Sequence, residues 1–168
     1  MECLKRRPMH KFFLSWLALA CLFTGCKPNQ EEEMRSKDWC FKPEATLQLI
    51  ATTTDTLKEL QVELADTDYS IQLGMMYREE LTEDQGMLFV FEEDTPQFFY
   101  LKNTEVPLDI IYITGNKRVD SYSLNAKPKD ETLLKSKGAA KYVLEVKAGM
   151  VEQWGLKEGD LVDWNKNN

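Results

Sequence analysis

Asp109 and Glu145 are the residues whose types and settings are most capable of chemistry. Asp109 interrupts the apolar run Pro107-Leu108-Asp109-Ile110-Ile111-Tyr112, and Glu145 interrupts Tyr142-Val143-Leu144-Glu145-Val146. In an extended strand alternate side chains share a face. Asp109 therefore lies with Ile111 and Ile113 while Leu108, Ile110 and Tyr112 line the other side, and Glu145 lies with Val143. Both faces of each run are apolar, which puts each carboxylate at or near the interior. There it must be paired, hydrogen-bonded or protonated, because a bare charge is costly to desolvate. Arg78 and Lys102 are the available cations. Three uses of these groups stay open: internal ion pairs or bonds to backbone where strands bend; a pocket for a polar ligand lined by Arg78, Lys102, Asn103, Thr104, Asp109 and Glu145; and acid–base catalysis by Asp109 and Glu145. Two carboxylates can hydrolyse a glycosidic bond if their separation is right and one pKa is raised.

Other groups carry less. Asn103-Thr104 at the end of a strand suits a turn as well as a ligand. Met75, Met76 and Met87 could offer thioethers to Cu(I), but with no Cys or His nearby core packing is the simpler reading, and neither a metal nor a cofactor is expected. Tyr77, Phe98, Phe99, Tyr100, Tyr112 and Trp154 could form a sugar-stacking platform or part of the core. The glycines have no phosphate-cradle spacing and read as turn residues.

The start of the chain reads as an address. Lys5, Arg6, Arg7 and Lys11 precede an apolar stretch over 12–23, and Thr24-Gly25 supplies small residues before Cys26. Charge, apolar run and small-residue cut site in that order describe a secretory signal. A cysteine at the cut predicts lipid attachment to Cys26, although Phe23 is an unusual occupant of the third position before it and Cys21 is a rival site. The apolar stretch is shorter than the roughly 20 residues a bilayer crossing needs. The expectation is a lipoprotein anchored to a bacterial membrane, at the periplasmic face or the cell surface. On cleavage four basic residues and one acidic residue leave, taking the net charge from −7 to −10. That balance, without a Lys/Arg cluster recognised in the sequence, argues against binding a phosphate backbone.

Cleavage also removes His10, the only histidine, and with it every mechanism that needs imidazole. Cys40, between Trp39 and Phe41, is then the one cysteine neither discarded nor acylated, so it is expected to be a thiol in a small apolar cluster rather than in an internal disulfide.

Beyond a polar tether over 26–44, which includes the acidic run Glu31-Glu32-Glu33, residues 45–164 predict one compact domain, followed by a polar tail over 165–168. Alternating apolar and β-branched residues predict strands over 45–52 and 57–65, with Asp55 at their connection. Residues 67–81 switch to a helical period, capped by Thr67 or Asp68 and weakened by Gly74. Strands are predicted over 86–91, 97–103 and 107–114. Gly115-Asn116 turns the last of these into a strand over 118–124. An apolar run over 142–146, a helical turn over 150–154 and a strand over 161–164 complete the chain. Many short strands with one or two short helices predict an α+β domain, its sheet mostly antiparallel and strongly curved or barrel-like.

The ordered motifs Gly74-Met75-Met76-Tyr77-Arg78, Gln85-Gly86-Met87-Leu88-Phe89-Val90-Phe91, Phe99-Tyr100-Leu101-Lys102-Asn103-Thr104, Pro107-Leu108-Asp109-Ile110 and Tyr142-Val143-Leu144-Glu145-Val146-Lys147-Ala148-Gly149, closed by Gly159-Asp160, resemble the domain of unknown function 192 family. The resemblance spans about 45–164. Two departures stand out: Tyr100-Leu101 where the family usually has Trp-Met, and no cysteine near Asn125. The resemblance implies a small, mostly β domain that is often exported, and no assigned activity. The resulting expectation is a non-catalytic, monomeric binding or accessory module at the cell envelope, partnered by the membrane through Cys26 and by a small polar ligand, a glycan or an envelope protein. The alternative is a small hydrolase or isomerase run by Asp109 and Glu145.

Overall fold

The computed structural model describes residues 39–167. The signal segment, Cys26 and most of the tether lie outside them. The chain divides into two units, 1–40 and 41–168. Of the first, only Trp39 and Cys40 are described. In the uncleaved chain Cys40 is disulfide-bonded, which corrects the expectation that no internal disulfide forms; the three other cysteines lie outside the described residues.

The second unit contains nine strands and two short helices in the order β1 (Ala45–Ile50), β2 (Thr56–Ala65), α1 (Asp68–Leu73), β3 (Gln85–Thr95), β4 (Phe98–Phe99), β5 (Leu108–Ile113), β6 (Val119–Ala126), β7 (Leu134–Lys135), β8 (Ala140–Lys147), α2 (Met150–Trp154) and β9 (Leu161–Lys166). Seven strands form one sheet in the order β6-β5-β8-β3-β2-β1-β9, and β4 pairs with β7 in a separate ribbon. The architecture is α+β. The sheet is mixed rather than antiparallel, because β2 and β3 run parallel. Parallel neighbours need a crossover, and residues 66–84 supply one containing α1. Nor does the sheet close into a barrel. Its edge strands meet only at one corner, where Arg118 bridges Leu161 and Val119 N–H donates to Asp160 O at 2.9 Å.

Helix α1 is shorter than its sequence period suggests. Thr67 is its N-cap in a full capping box with Ser70. The helix then stops at Gly74, whose φ of 48° and ψ of −136° suit glycine alone. A Cβ there would sit 3.2 Å from Phe89 Cζ, so the missing side chain also lets the crossover lie close to the sheet. Residues at both ends of the domain join its frame: Lys42 N–H donates to Glu63 Oε1, Glu44 N–H to Val62 O, and Asn167 N–H to Glu44 O.

Both faces of the sheet are buried. One carries Leu47, Leu60, Val62, Leu88, Ile111, Leu144 and Val146, closed by Met150, Val151 and Leu156 from around α2. The other carries Ala65, Met87, Phe89, Ile110, Tyr112 and Val143, covered by Met75, Leu81 and Leu101. The first face supports the fold. The second contains the polar groups of interest.

Candidate functional site: a buried carboxyl beneath the crossover

Asp109 and Glu145 are both buried, as their apolar settings require, but they do not meet. Asp109 pairs with Val146 across β5 and β8, and Ile110 pairs with Glu145. Since neighbouring strand residues alternate, the two carboxyls point to opposite faces of the sheet. Two groups separated by a sheet cannot flank one scissile bond, so the paired-carboxylate arrangement is not formed.

Asp109 is consumed by the backbone. Its Oδ1 accepts the Asn125 N–H at 2.8 Å and its Oδ2 accepts the Val151 N–H at 3.0 Å. Asn125 sits at φ 53°, in an irregularity of β6 opposite Asp109 where the register slips between Leu108 and Ile110. Such bulges leave an amide without a ladder partner, and the first turn of a helix does the same. One carboxylate satisfies both.

Glu145 has the opposite environment. It lies in a row Glu63–Met87–Glu145–Ile110 across four adjacent strands. Its Oε2 is buried with no hydrogen-bond partner, and a Cβ on Gly74 would be 3.9 Å from it. Burial alone raises its pKa to about 8, so at neutral pH the group is mostly a carboxylic acid. Tyr112 lies on the same face and feels the Glu145 charge. Burial raises the phenol's pKa, and the Glu145 charge adds to the rise. Ser123 opposes the rise more than Glu145 adds to it, yet Tyr112 Oη makes no hydrogen bond within bonding geometry.

The end of the crossover is pinned on either side of these groups. Arg78 Nη2 forms an ion pair with Glu63 Oε2 at 2.5 Å, both side chains 9% exposed. Burial raises the Glu63 pKa, and the Arg78 guanidinium holds it back. Arg78 therefore serves Glu63, two strands from Glu145. Tyr77, at φ 63°, donates its N–H to Asn103 O at 2.8 Å, and Asn103, at φ 58°, returns a hydrogen bond from Nδ2 to Tyr77 Oη at 3.1 Å. Two non-glycine residues in left-handed backbone within one clasp are uncommon. Thr104 is buried beside this loop, and Lys102 is half-buried at its start. The structure thus brings Asn103, in the loop before β5, against Tyr77 of the crossover next to Arg78, and leaves Asp109 on the opposite face of the sheet.

Sequence reasoning did not single out Glu63, and it read Tyr112 only as an aromatic. Glu63 carries the same signal as Asp109, a carboxylate within an apolar stretch, Val62-Glu63-Leu64-Ala65. Arg78→Met leaves Glu63 buried without its cation and should cost about 3–5 kcal/mol. Urea denaturation checks this, and adding Glu63→Gln should recover most of the loss. Equal stability of wild type and the single variant would remove the ion pair from the frame.

No cluster of three or more His, Cys, Asp or Glu among the described residues could hold a metal ion. A shallow depression lined by Pro43, Glu44, Leu64, Asp66, Lys166 and Asn167 involves none of the groups above.

Residues 49–164 match the domain of unknown function 192 family, described as "Uncharacterized ACR". Two solved structures are similar at 33% and 34% identity. The first is a proposed transcription regulator from Sinorhizobium meliloti 1021, with a TM-score of 0.70 over 75% of this chain and 98% of that one. The second is a protein of unknown function from Novosphingobium aromaticivorans, with a TM-score of 0.67 over 71% of this chain and 84% of that one. No curated protein matches the chain.

Proposed function

The chain belongs to the domain of unknown function 192 family, and on that premise we propose that it is a non-catalytic binding module, anchored through lipid on Cys26 to a bacterial envelope membrane, which takes a small polar ligand at Glu145 and Tyr112. One observation carries the reading. Glu145 Oε2 and Tyr112 Oη are both buried without a hydrogen bond on the same face. Buried polar atoms are nearly always paired in a settled structure, so two orphans on one face mark where a ligand would be held. A protonated Glu145 donates one hydrogen bond and Tyr112 can donate or accept another. Phe89, Phe99 and Tyr112 lie edge to face around the same region, with Phe89–Phe99 centroids 5.0 Å apart. Arg78 on the crossover and Asn103 in the loop before β5, bonded to Tyr77, flank the region the ligand would enter.

A relative's description as a transcription regulator does not extend to this chain, because the net charge is −7 before any cleavage and −10 after it, a balance that repels phosphate backbones. The anchor rests on the order of charge, apolar run and small residues before Cys26. Metabolic labelling with a fatty acid tests it: label should enter the wild type and be absent from Cys26→Ser.

The ligand is tested by thermal shift on residues 41–168, which contain both core clusters and every strand pairing. The panel comprises peptidoglycan fragments, oligosaccharides, nucleotides, amino acids and metal ions. A compound at one hundred times its Kd adds about 2.7 kcal/mol, a rise of roughly 5–10 °C in Tm for a domain of this size. The expected hit is lost in Tyr112→Phe and Glu145→Gln while both variants stay folded. A shift that both variants retain would place the ligand elsewhere, and a flat panel would remove the small-ligand reading for those compounds.

A further inference from the structure

The β4–β7 ribbon presents apolar side chains to water. Phe98 pairs with Lys135 and Phe99 with Leu134. Phe99 and Leu134 turn inward onto the core, which leaves Phe98, Tyr100, Leu133 and Lys135 outside. Phe98 is 54% exposed, Tyr100 43% and Leu133 63%. These are three of the five large hydrophobic side chains exposed among the described residues, and they are drawn from two short neighbouring segments. Lys135 Nζ stands 5.4 Å over the Phe98 ring, so the apolar surface and a cation form one feature.

The surroundings are rich in lysine in an acidic protein. Residues 129–136 run antiparallel beside 97–104, tied by Leu101 N–H to Asp130 O, Lys129 N–H to Thr104 O and Ser136 N–H to Gln97 O. The two segments bring Lys102, Lys129 and Lys135 near the exposed aromatics, with Lys127 and Lys137 at the ends of the second, against Glu105, Asp130 and Glu131; Lys129 is ion-paired with Glu105 at 2.7 Å and Lys137 with Glu158 at 3.3 Å. The rest of the domain carries the acidic surplus. Aromatic and aliphatic tips with lysines nearby match the interface of an anionic bilayer: aromatic rings settle at headgroup level, and lysines are drawn to an anionic surface.

We propose that the outer face of the β4–β7 ribbon, Phe98, Tyr100 and Leu133 with Lys135, is a peripheral membrane-contact surface for anionic phospholipid. A stable protein interface needs roughly 800 Å² and 20–30 residues a side, against the four outward side chains of this ribbon, whereas a bilayer surface needs only a few inserted side chains. A nucleic-acid backbone would use the lysines but would give Leu133, the most exposed of the three, nothing apolar to enter. The surface acts independently of an anchor at Cys26. In an anchored chain it would turn this face toward the membrane and the acidic remainder away from it.

The test is cosedimentation of residues 41–168 with extruded vesicles, either phosphatidylglycerol mixed with phosphatidylcholine or phosphatidylcholine alone. Binding is expected to the anionic vesicles and to weaken with salt. Phe98→Ser with Leu133→Ser should reduce it by at least about tenfold, since each large apolar side chain withdrawn from water is worth on the order of a factor of ten. Lys135→Glu should reduce it separately. All these positions are exposed, so an unchanged Tm should accompany the loss. The proposal is overturned by no binding to anionic vesicles, or by binding that the variants leave intact. It is equally overturned by ultracentrifugation showing a dimer that Phe98→Ser with Leu133→Ser dissolves, or by binding to duplex DNA in place of vesicles.

Discussion

Replacing Glu145 with Gln should make the protein's stability far less dependent on pH, with the gain over wild type growing steadily from pH 5 to pH 8. The folded-state pKa is about 8 against an ordinary value of 4.5, and burial is the cause. Because folding raises this pKa, the folded state holds the proton more tightly than the unfolded chain. The contribution is complete below about pH 4.5 and is lost as pH rises, ending near pH 8. Within that window each pH unit costs about 1.4 kcal/mol. Over the whole window the loss approaches roughly 5 kcal/mol, comparable with the entire stability of many domains. Glutamine has nearly the same shape and no proton to lose. Urea denaturation of both proteins at pH 5, 6, 7 and 8 reads the difference directly. Parallel pH profiles would mean that Glu145 is solvated or already partnered, which would also deprive the proposed ligand site of its main support. A ligand that binds the acid form should in turn bind less tightly above pH 8.

Asp109→Ala should be the most damaging single substitution at neutral pH, lowering stability by about 4 kcal/mol and Tm by about 15 °C. Each buried backbone donor left without a partner costs about 1–3 kcal/mol, and this carboxylate serves two, on Asn125 and Val151. Acceptors that carry charge are at the strong end of the range. Asp109→Asn keeps one acceptor and presents an amide donor to the other N–H, so roughly half the loss should remain. Hydrogen exchange separates this from a general loosening: the Asn125 and Val151 amides should lose protection before the β3–β8 ladder does. A cost under 1 kcal/mol would show that neither amide depends on Asp109.

Taken together, the two variants separate roles that the sequence presents as alike. Both carboxylates interrupt apolar runs, and elementary desolvation says that each must be paired, hydrogen-bonded or protonated. Alternation placed both in the interior, and they are 0% and 4% exposed. Which remedy each adopts depends on what crosses its face. Asp109 faces a bulge and a helix start, both rich in unpaired amides. Glu145 Oε2 lies beneath Gly74 of the crossover with no hydrogen-bond partner.

Local chemistry was legible wherever a few neighbouring residues decide the outcome. Thr67 as the N-cap of α1, Met150–Trp154 as a helix, the Gly115-Asn116 turn and most strands follow from capping, turn preference and period. Helix α1 ended early because Gly74 stops it and admits Phe89, a contact 15 positions away in sequence. Residues 97–103 alternate like one strand, yet only Phe98 and Phe99 form a ladder. Their partner is the short β7, which has too few residues to show a period of its own.

Sheet topology was not legible in the same way. The parallel β2–β3 pair arises because residues 66–84 cross one face of the sheet, and strand periodicity is the same for parallel and antiparallel neighbours. The Arg78–Glu63 pair follows from that crossover, while the separation of Asp109 from Glu145 and the grouping of Glu145 with Tyr112 follow from the β5–β8 register. The sequence by itself determined which residues had to be buried and which local elements they would form, because desolvation and backbone preference act on each residue where it stands. Only the tertiary structure decided which buried groups meet, because that depends on strand order and on the face each strand turns toward its neighbours.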